Sequence, residues 1–152
     1  MKTVIQFTVH GDPKPQPRPR AFSRNGTARV YDPHTAEGWK SAIADAAQPH
    51  CPREPWRGPV RVWLLFTFKR PKTHYRQGKH ADLLRDDSPY WHTKKPDADN
   101  LAKAVLDTLT MLGFWKDDSQ VAMLAVDKCY CVDEQPGVTV EVNDLARQHG
   151  TA

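Results

Sequence analysis

The stretch at residues 94–120 constrains the fold most, because it joins two acidic pairs through one amphipathic helix. It reads KKPDADNLAKAVLDTLTMLGFWKDDSQ. Apolar residues at positions 101–112 recur at the spacing of one buried helix face. The proline before the first aspartate favours extended backbone, so we expect the helix to begin at Asp99 or Asn100, with the Asx side chain capping free N–H groups. Gly113 is expected to end it.

The acidic residues at the two ends of this helix are candidate metal ligands. Asp97, Asp99 and Asp118 offer the hard oxygen atoms that Mg2+ prefers, and few are needed because this ion keeps several waters. Lys103 follows Asp99 by four residues, so the spacing places a cation beside that carboxylate. An isolated Asp-x-Asp is a weak signal, and the competing interpretation is a helix cap followed by an exposed turn. The preceding basic pair and the second acidic pair favour a metal site.

The same stretch resembles the RusA family of Holliday junction resolvases. The resemblance rests on D-x-D-N-L-x-K at residues 97–103 and on G-F-W-x-D-D-x-Q-V at residues 113–121. It implies a small, phage-associated endonuclease that acts as a homodimer on four-way junction DNA. It also implies dependence on Mg2+, with Mn2+ as a substitute.

The resemblance assigns catalytic roles to three carboxylates and one lysine: Asp97, Asp99, Asp118 and Lys103. Asn100 and Asp117 are supporting residues of the same site. In the implied mechanism the three carboxylates hold Mg2+, which makes a water molecule more acidic for attack on the scissile phosphate. Lys103 offsets the charge that grows on the phosphate oxygens.

Length and composition favour one domain at residues 1–152, because the chain is long enough for one core and too short for two. We expect an α/β (α+β) fold with a mixed sheet of about four strands and two main helices. The N-terminal segment lacks the apolar core of a signal peptide or anchor, which predicts a cytoplasmic protein without a membrane partner. No small-molecule cofactor is expected. Three cysteines without paired spacing predict neither disulfides nor a zinc site.

The net charge of +4 hides a strong asymmetry. Two basic loops, at about residues 11–30 and 69–96, precede an acidic C-terminal part, which is typical of a protein that holds a polyanion and a metal ion. The candidate DNA contacts are Lys14, Arg18, Arg20, Arg24, Lys69, Arg70, Lys72, Arg76, Lys94 and Lys95. The alternatives are a Pro-rich arm that helps a dimer to form, for the first loop, and a solvated surface, for the second.

Apolar spacing predicts the remaining elements. We expect a strand at residues 3–10, a helix at 33–47 capped by Asp32, and a central strand at 59–68 with helices on one face. Residues 120–132 are apolar on both faces at first, which predicts a strand buried on both sides. Residues 133–137 predict a hairpin turn into a last strand at 138–142.

Two other kinds of protein share parts of this pattern. A non-catalytic DNA-binding or regulatory protein with the same fold would keep the basic loops, but it would not need three carboxylates and the lysine. An Asp-x-Asp phosphatase should have an apolar strand directly before its aspartates, whereas this chain has HTKKP. A nucleotide-sugar transferase of this length would lack room for a donor domain. The sequence therefore favours a structure-specific endodeoxyribonuclease of DNA recombination and repair.

Overall fold

Four strands and two helices make up the fold in a computed structural model that describes residues 3–17 and 35–146. The strands β1 (Val4–His10), β2 (Val60–Phe68), β3 (Val121–Tyr130) and β4 (Gly137–Asp144) form one mixed sheet. The helices are α1 (Ala36–Ala47) and α2 (Ala98–Leu112). This architecture confirms the predicted fold class. None of the helices in the described ranges is long and apolar enough to cross a membrane.

Both helices join the core on one face of the sheet. Alternate residues of β2, among them Val62 and Leu64, are fully buried and belong to the same apolar cluster as Leu101 and Val105 of α2. On the other face of β2, Arg61 is exposed. This two-residue alternation matches the prediction of a central strand with helices on one side.

The strand order β1-β4-β2-β3 corrects the predicted hairpin between the last two strands. β4 pairs antiparallel with both β1 and β2, whereas β3 pairs parallel with β2 on its far side. The turn residues correctly indicate a reversal of the chain, but they carry no information about which strand lies alongside. Residue 137 has to be a glycine, because a Cβ atom there would overlap the Val9 carbonyl oxygen.

The prediction that β3 is buried on both faces is also wrong. Residues 122–125 are exposed, with Met123 53% and Leu124 47% accessible. β3 lies at the edge of the sheet, so β2 is its only strand neighbour within the described residues. An apolar run therefore indicates a surface that is stabilised by burial. It does not show whether the same chain or another molecule buries that surface.

The two helices begin at residues other than the predicted ones. Thr35 caps α1 by accepting a hydrogen bond from the Gly38 N–H at 3.4 Å, while Asp32 lies outside the described residues. α2 begins at Ala98 with Asp97 at its N-cap position, where the Asp97 side chain makes no capping hydrogen bond. The end of α2 is as predicted, because Gly113 takes the left-handed conformation with φ of 92°.

Candidate active site

The turn after α2 holds Asp118 in place through its neighbours. Asp118–Gln120 forms a short 3₁₀ helix. The Asp117 carboxylate accepts a hydrogen bond from the Ser119 N–H at 2.8 Å, and this bond lowers the pKa of Asp117 from its ordinary value. The Gln120 side-chain oxygen accepts from the N–H groups of Lys116 and Asp117. Asp117 and Gln120 thus fix the backbone on both sides of Asp118.

Hydrogen bonds join this turn to a buried part of the chain. The Gln120 amide donates hydrogen bonds to the carbonyl oxygens of Trp56 at 2.7 Å and Gly58 at 3.0 Å. The Trp56 N–H in turn donates to the Phe114 carbonyl at 3.0 Å. Phe114 and Trp115 are almost fully buried. The aromatic pair and the glutamine of the G-F-W-x-D-D-x-Q motif therefore support the exposed acids.

One open cleft brings together three of the predicted catalytic residues. Asp99 and Lys103 reach it from α2, and Asp118 reaches it from the turn. The cleft has a volume of about 420 Å³ and an apolar lining of Ala102, Leu106, Leu124 and Val126. Asp99, Lys103 and Asp118 are all exposed. Two carboxylates and one ammonium group thus face the same solvent-filled space.

Lys103 forms its ion pair with a different partner from the one its spacing suggested. Its ammonium group lies 3.6 Å from the carboxylate of Asp107, which follows Lys103 by one helical turn, whereas Asp99 precedes it by one turn. An exposed pair of this kind contributes less than about 1 kcal/mol to stability. Because little stability is lost when the pair opens, Lys103 is available to a phosphate group.

Asp97 lines a second cavity beside the first. This cavity has a volume of about 400 Å³, and Lys14, Lys95 and Asn100 also line it. The Gln16 N–H donates a hydrogen bond to the Asn100 carbonyl at 3.0 Å, which fastens the N-terminal proline-rich segment to the start of α2. A basic residue remote in sequence, Lys14, therefore lines the same cavity as the first aspartate of the motif.

The donor atoms suit Mg2+ bound in an open site. No three His, Cys, Asp or Glu side chains within residues 3–17 and 35–146 are arranged as a ready set of metal ligands. Mg2+ commonly uses only one or two carboxylates, completed by substrate phosphates and water. Asp99 and Asp118 on one cleft meet that need. The three cysteines are free, and burial raises the pKa of each thiol, which disfavours the thiolate form that binds soft metals.

The candidate DNA contacts fall into three groups. The side chains of the first are accessible or line an open cavity: Lys14, Lys69, Lys72, Arg76, Lys94 and Lys95. The second group, Arg18, Arg20 and Arg24, lies outside the described residues. The third is Arg70, which is 8% exposed and donates hydrogen bonds to the carbonyl oxygens of Cys131 and Pro89, both at 2.8 Å. The expectation for Arg70 is corrected, because the fold itself uses its guanidinium group.

Sequence reasoning missed Lys128. Its ammonium group donates a hydrogen bond to the Lys94 carbonyl at 2.7 Å. Burial lowers the pKa of Lys128, and the charge of the nearby Asp97 carboxylate opposes this shift. The signal was present in the alternation of β3, since Lys128 has the same parity as Leu124 and Val126, which line the cleft.

An acidic cleft flanked by basic loops on an α+β sheet is typical of proteins that act on the phosphates of nucleic acids. The family model described as Endodeoxyribonuclease RusA matches residues 10–143. The chain therefore belongs to the RusA family of endodeoxyribonucleases.

Two relatives are similar to this chain over different lengths. The chain is 37% identical over 147 residues to "Uncharacterized protein YqaN" of Bacillus subtilis (strain 168), covering 93% of this chain and 97% of that protein. It is 36% identical over 55 residues to "Crossover junction endodeoxyribonuclease rusA" of Lactococcus phage r1t, covering 36% of this chain and 40% of the phage protein.

Proposed function

We propose that this protein resolves four-way DNA junctions by Mg2+-dependent paired nicks, in recombination and repair of DNA in the cytoplasm. The observation that carries the proposal is the cleft shared by Asp99, Lys103 and Asp118 in a chain of the RusA family. The name of the phage relative supports the junction as substrate. The cleft residues thus support phosphodiester cleavage, and membership of the family supports a four-way junction as the substrate.

Asp99 and Asp118 would hold the metal ion from the two sides of the cleft, with Asp97 as a further ligand from the adjacent cavity. Bound Mg2+ would supply an activated water molecule and would neutralise charge at the scissile phosphate. Lys103 contacts a phosphate oxygen once it leaves Asp107. Asp117 and Gln120 keep Asp118 directed towards the cleft. Mn2+ has the same preference for oxygen ligands and is the expected substitute.

Lys14 and Lys95 would guide the DNA strand past Asp97, and their position on the same cavity supports this role. Their charges offset the repulsion between the aspartates and the DNA backbone. Further along the second basic loop, the rings of Tyr90 and Trp91 are about half exposed, with centroids 4.8 Å apart. Such rings stack on bases that have lost a stacking neighbour, as the bases at the opening of a junction do.

A homodimer belongs to this proposal, since two opposed strands must be cut. The exposed apolar residues on β3 support it, because an uncovered apolar edge strand favours pairing with another chain. We expect Met123→Lys to shift the protein towards monomers in light scattering after size exclusion. Lys40→Met on α1 is the control for an unrelated change of charge. An unchanged dimer would move the interface elsewhere, and a monomeric parent protein would contradict the dimer.

The experiment that tests the function compares labelled four-way junction, linear duplex and flap DNA, each with Mg2+, Mn2+, Ca2+ or excess EDTA. We expect symmetric cuts in the junction with Mg2+ or Mn2+. Ca2+ should mainly support binding, because its larger and looser shell positions water poorly. Undiminished cutting in EDTA would exclude the metal mechanism. Junction binding without cutting under every condition would favour a non-catalytic DNA-binding protein.

A further inference from the structure

Lys128 is attached to the chain segment that leads into Asp97. It belongs to edge strand β3, where the residue is half-buried while its ammonium group makes an exposed hydrogen bond. Its carbonyl oxygen accepts a hydrogen bond from the His92 N–H at 2.9 Å. Its ammonium group donates to the Lys94 carbonyl at 2.7 Å. One residue therefore holds both ends of residues 92–94.

This attachment continues a short antiparallel pairing along the second half of β3. Trp91 forms a bridge with Cys129, and the Tyr130 N–H donates to the Tyr90 carbonyl at 2.9 Å. The His92 ring stacks on Phe68 with ring centroids 3.9 Å apart. The bond from Lys128 to Lys94 extends the pairing two residues beyond His92, towards Asp97.

Lys128 also lies within the electrostatic reach of Asp97. The negative charge of Asp97 acts against the burial that lowers the pKa of Lys128. Lys128 and Lys94 are the cations that face His92 in the same region, and their charges help burial to keep His92 neutral by lowering its pKa. The clamp thus combines a backbone contact with a charge that attracts the first aspartate of the motif.

We propose that Lys128 is a positioning residue, which fixes the Asp97 carboxylate beside the cleft by holding Lys94 against β3. This inference rests on the proposed nuclease function. Lys128 acts through Asp97 and the backbone, whereas Lys103 acts on the phosphate. If Lys128 acted through its positive charge alone, it would repel the metal ion from the nearby carboxylate ligands. Its removal would then strengthen metal binding and leave the maximal rate unchanged.

Two substitutions in the full-length chain separate these roles. Lys128→Met should lower kcat for junction cutting at saturating Mg2+ by about 10-fold to 100-fold, the usual effect of losing a residue that orients a metal ligand. KM for the junction should stay the same. Lys128→Arg keeps a charged donor and should restore most of the rate. Lys40→Met on α1 is the matched control.

A second measurement does not depend on activity. Hydrogen exchange of a peptide spanning residues 90–97, in the absence of metal, should be faster in Lys128→Met than in the parent protein or in Lys40→Met. Unchanged protection of β2 and β4 shows that the variant is folded. If Lys128→Met does not fold, Lys128→Gln provides the same comparison with a smaller change in polarity.

The outcomes are distinct. Equal exchange of residues 90–97 in all variants would overturn the clamp. An unchanged kcat with a lower half-saturating concentration of Mg2+ would assign Lys128 a role through charge alone and would also overturn it. If the parent protein cuts no DNA, the proposed function fails, while the exchange measurement still decides whether Lys128 holds this segment.

Discussion

The acidic cleft and the basic lobe at residues 69–89 both display exposed charges, but they are supported in different ways. The acids are carried by α2 and by a turn that Gln120 and the buried Phe114 and Trp115 brace. The lobe contains two short 3₁₀ helices, Lys72–His74 and Gly78–His80, and most of its side chains are exposed.

The anchor of the lobe is a single buried cation. Arg70 joins the start of the lobe to Cys131 and Pro89, and its guanidinium lies over the Tyr130 ring at 5.4 Å. By contrast, Arg76 pairs with Asp86 on the exposed surface. Chemistry at a phosphate requires precise placement, whereas contact with a DNA backbone tolerates variation. The acidic cleft is therefore braced by buried residues, whereas the lobe, which would contact the DNA backbone, is mostly exposed.

The largest expected effect tests the acidic cleft. Asp99→Asn should reduce junction cutting by at least about 100-fold, since the amide keeps the shape but loses the charge that holds the cation. Junction binding should stay the same or become tighter, because a negative charge near the DNA is removed. Gel-shift and cutting assays on the same DNA measure both quantities. Asp45→Asn, an exposed change on α1, is the control, and parallel loss of binding would contradict the separation of the two functions.

A heterodimer of parent and Asp99→Asn subunits sharpens this test. On a supercoiled cruciform plasmid, a single nick gives relaxed circles, whereas paired cuts give linear DNA. If each subunit cuts one strand, the purified heterodimer should yield relaxed circles. Linear product at the rate of the parent homodimer would show that one cleft serves both strands.

The next effect compares two arginines of the lobe. Arg70→Met should lower the free energy of unfolding by about 2–3 kcal/mol, because a buried carbonyl group and a partly buried one lose a charged donor. Arg76→Met should change it by less than about 0.5 kcal/mol, since its partner is exposed. Urea denaturation of both variants provides the measurement. Equal losses would mean that Arg70 does not anchor the lobe.

A smaller effect is expected at the turn. Gln120→Ala should lower the free energy of unfolding by about 1–2 kcal/mol, because the carbonyl groups of Trp56 and Gly58 lose their donor. Cutting should fall as well, since Asp118 loses its brace. Thermal melting and cutting rates are measured on the same preparation, with the exposed Gln77→Ala as control. A destabilised variant with full activity would show that Asp118 does not depend on this bond.

The smallest effect concerns the basic residues next to the cleft. Replacing Lys94 and Lys95 by Ala should weaken DNA binding and lower the slope of log K against log salt by about one for each lost phosphate contact. The folded state should be unaffected, because both side chains are exposed. Binding is measured across a salt series. An unchanged slope would assign both lysines to the solvated surface.

The local pattern of the sequence predicts most elements and part of the site. The alternation of β2, the buried face of α2 and the stop at Gly113 all report the immediate surroundings of each residue, and the structure agrees with them. The motif also contains Asp99, Lys103 and Asp118, which line one cleft because α2 carries the first two and the turn at Asp118–Gln120 packs against α2. The bounds of α1 and α2 were less accurate, since several Asx and Thr residues compete for the cap position.

By itself, the sequence determined the repeating faces, the turn residues and the order of the charged groups along the chain, because these depend on spacings of a few residues. Only the tertiary structure decided that β2 separates β3 from β4, that Lys14 lines the same cavity as Asp97, and that Lys128 reaches the Lys94 carbonyl. It also decided that Arg70 is buried while half of β3 is exposed. The physical reason is that these contacts join segments remote in sequence, so they depend on how whole elements pack, which no local spacing records.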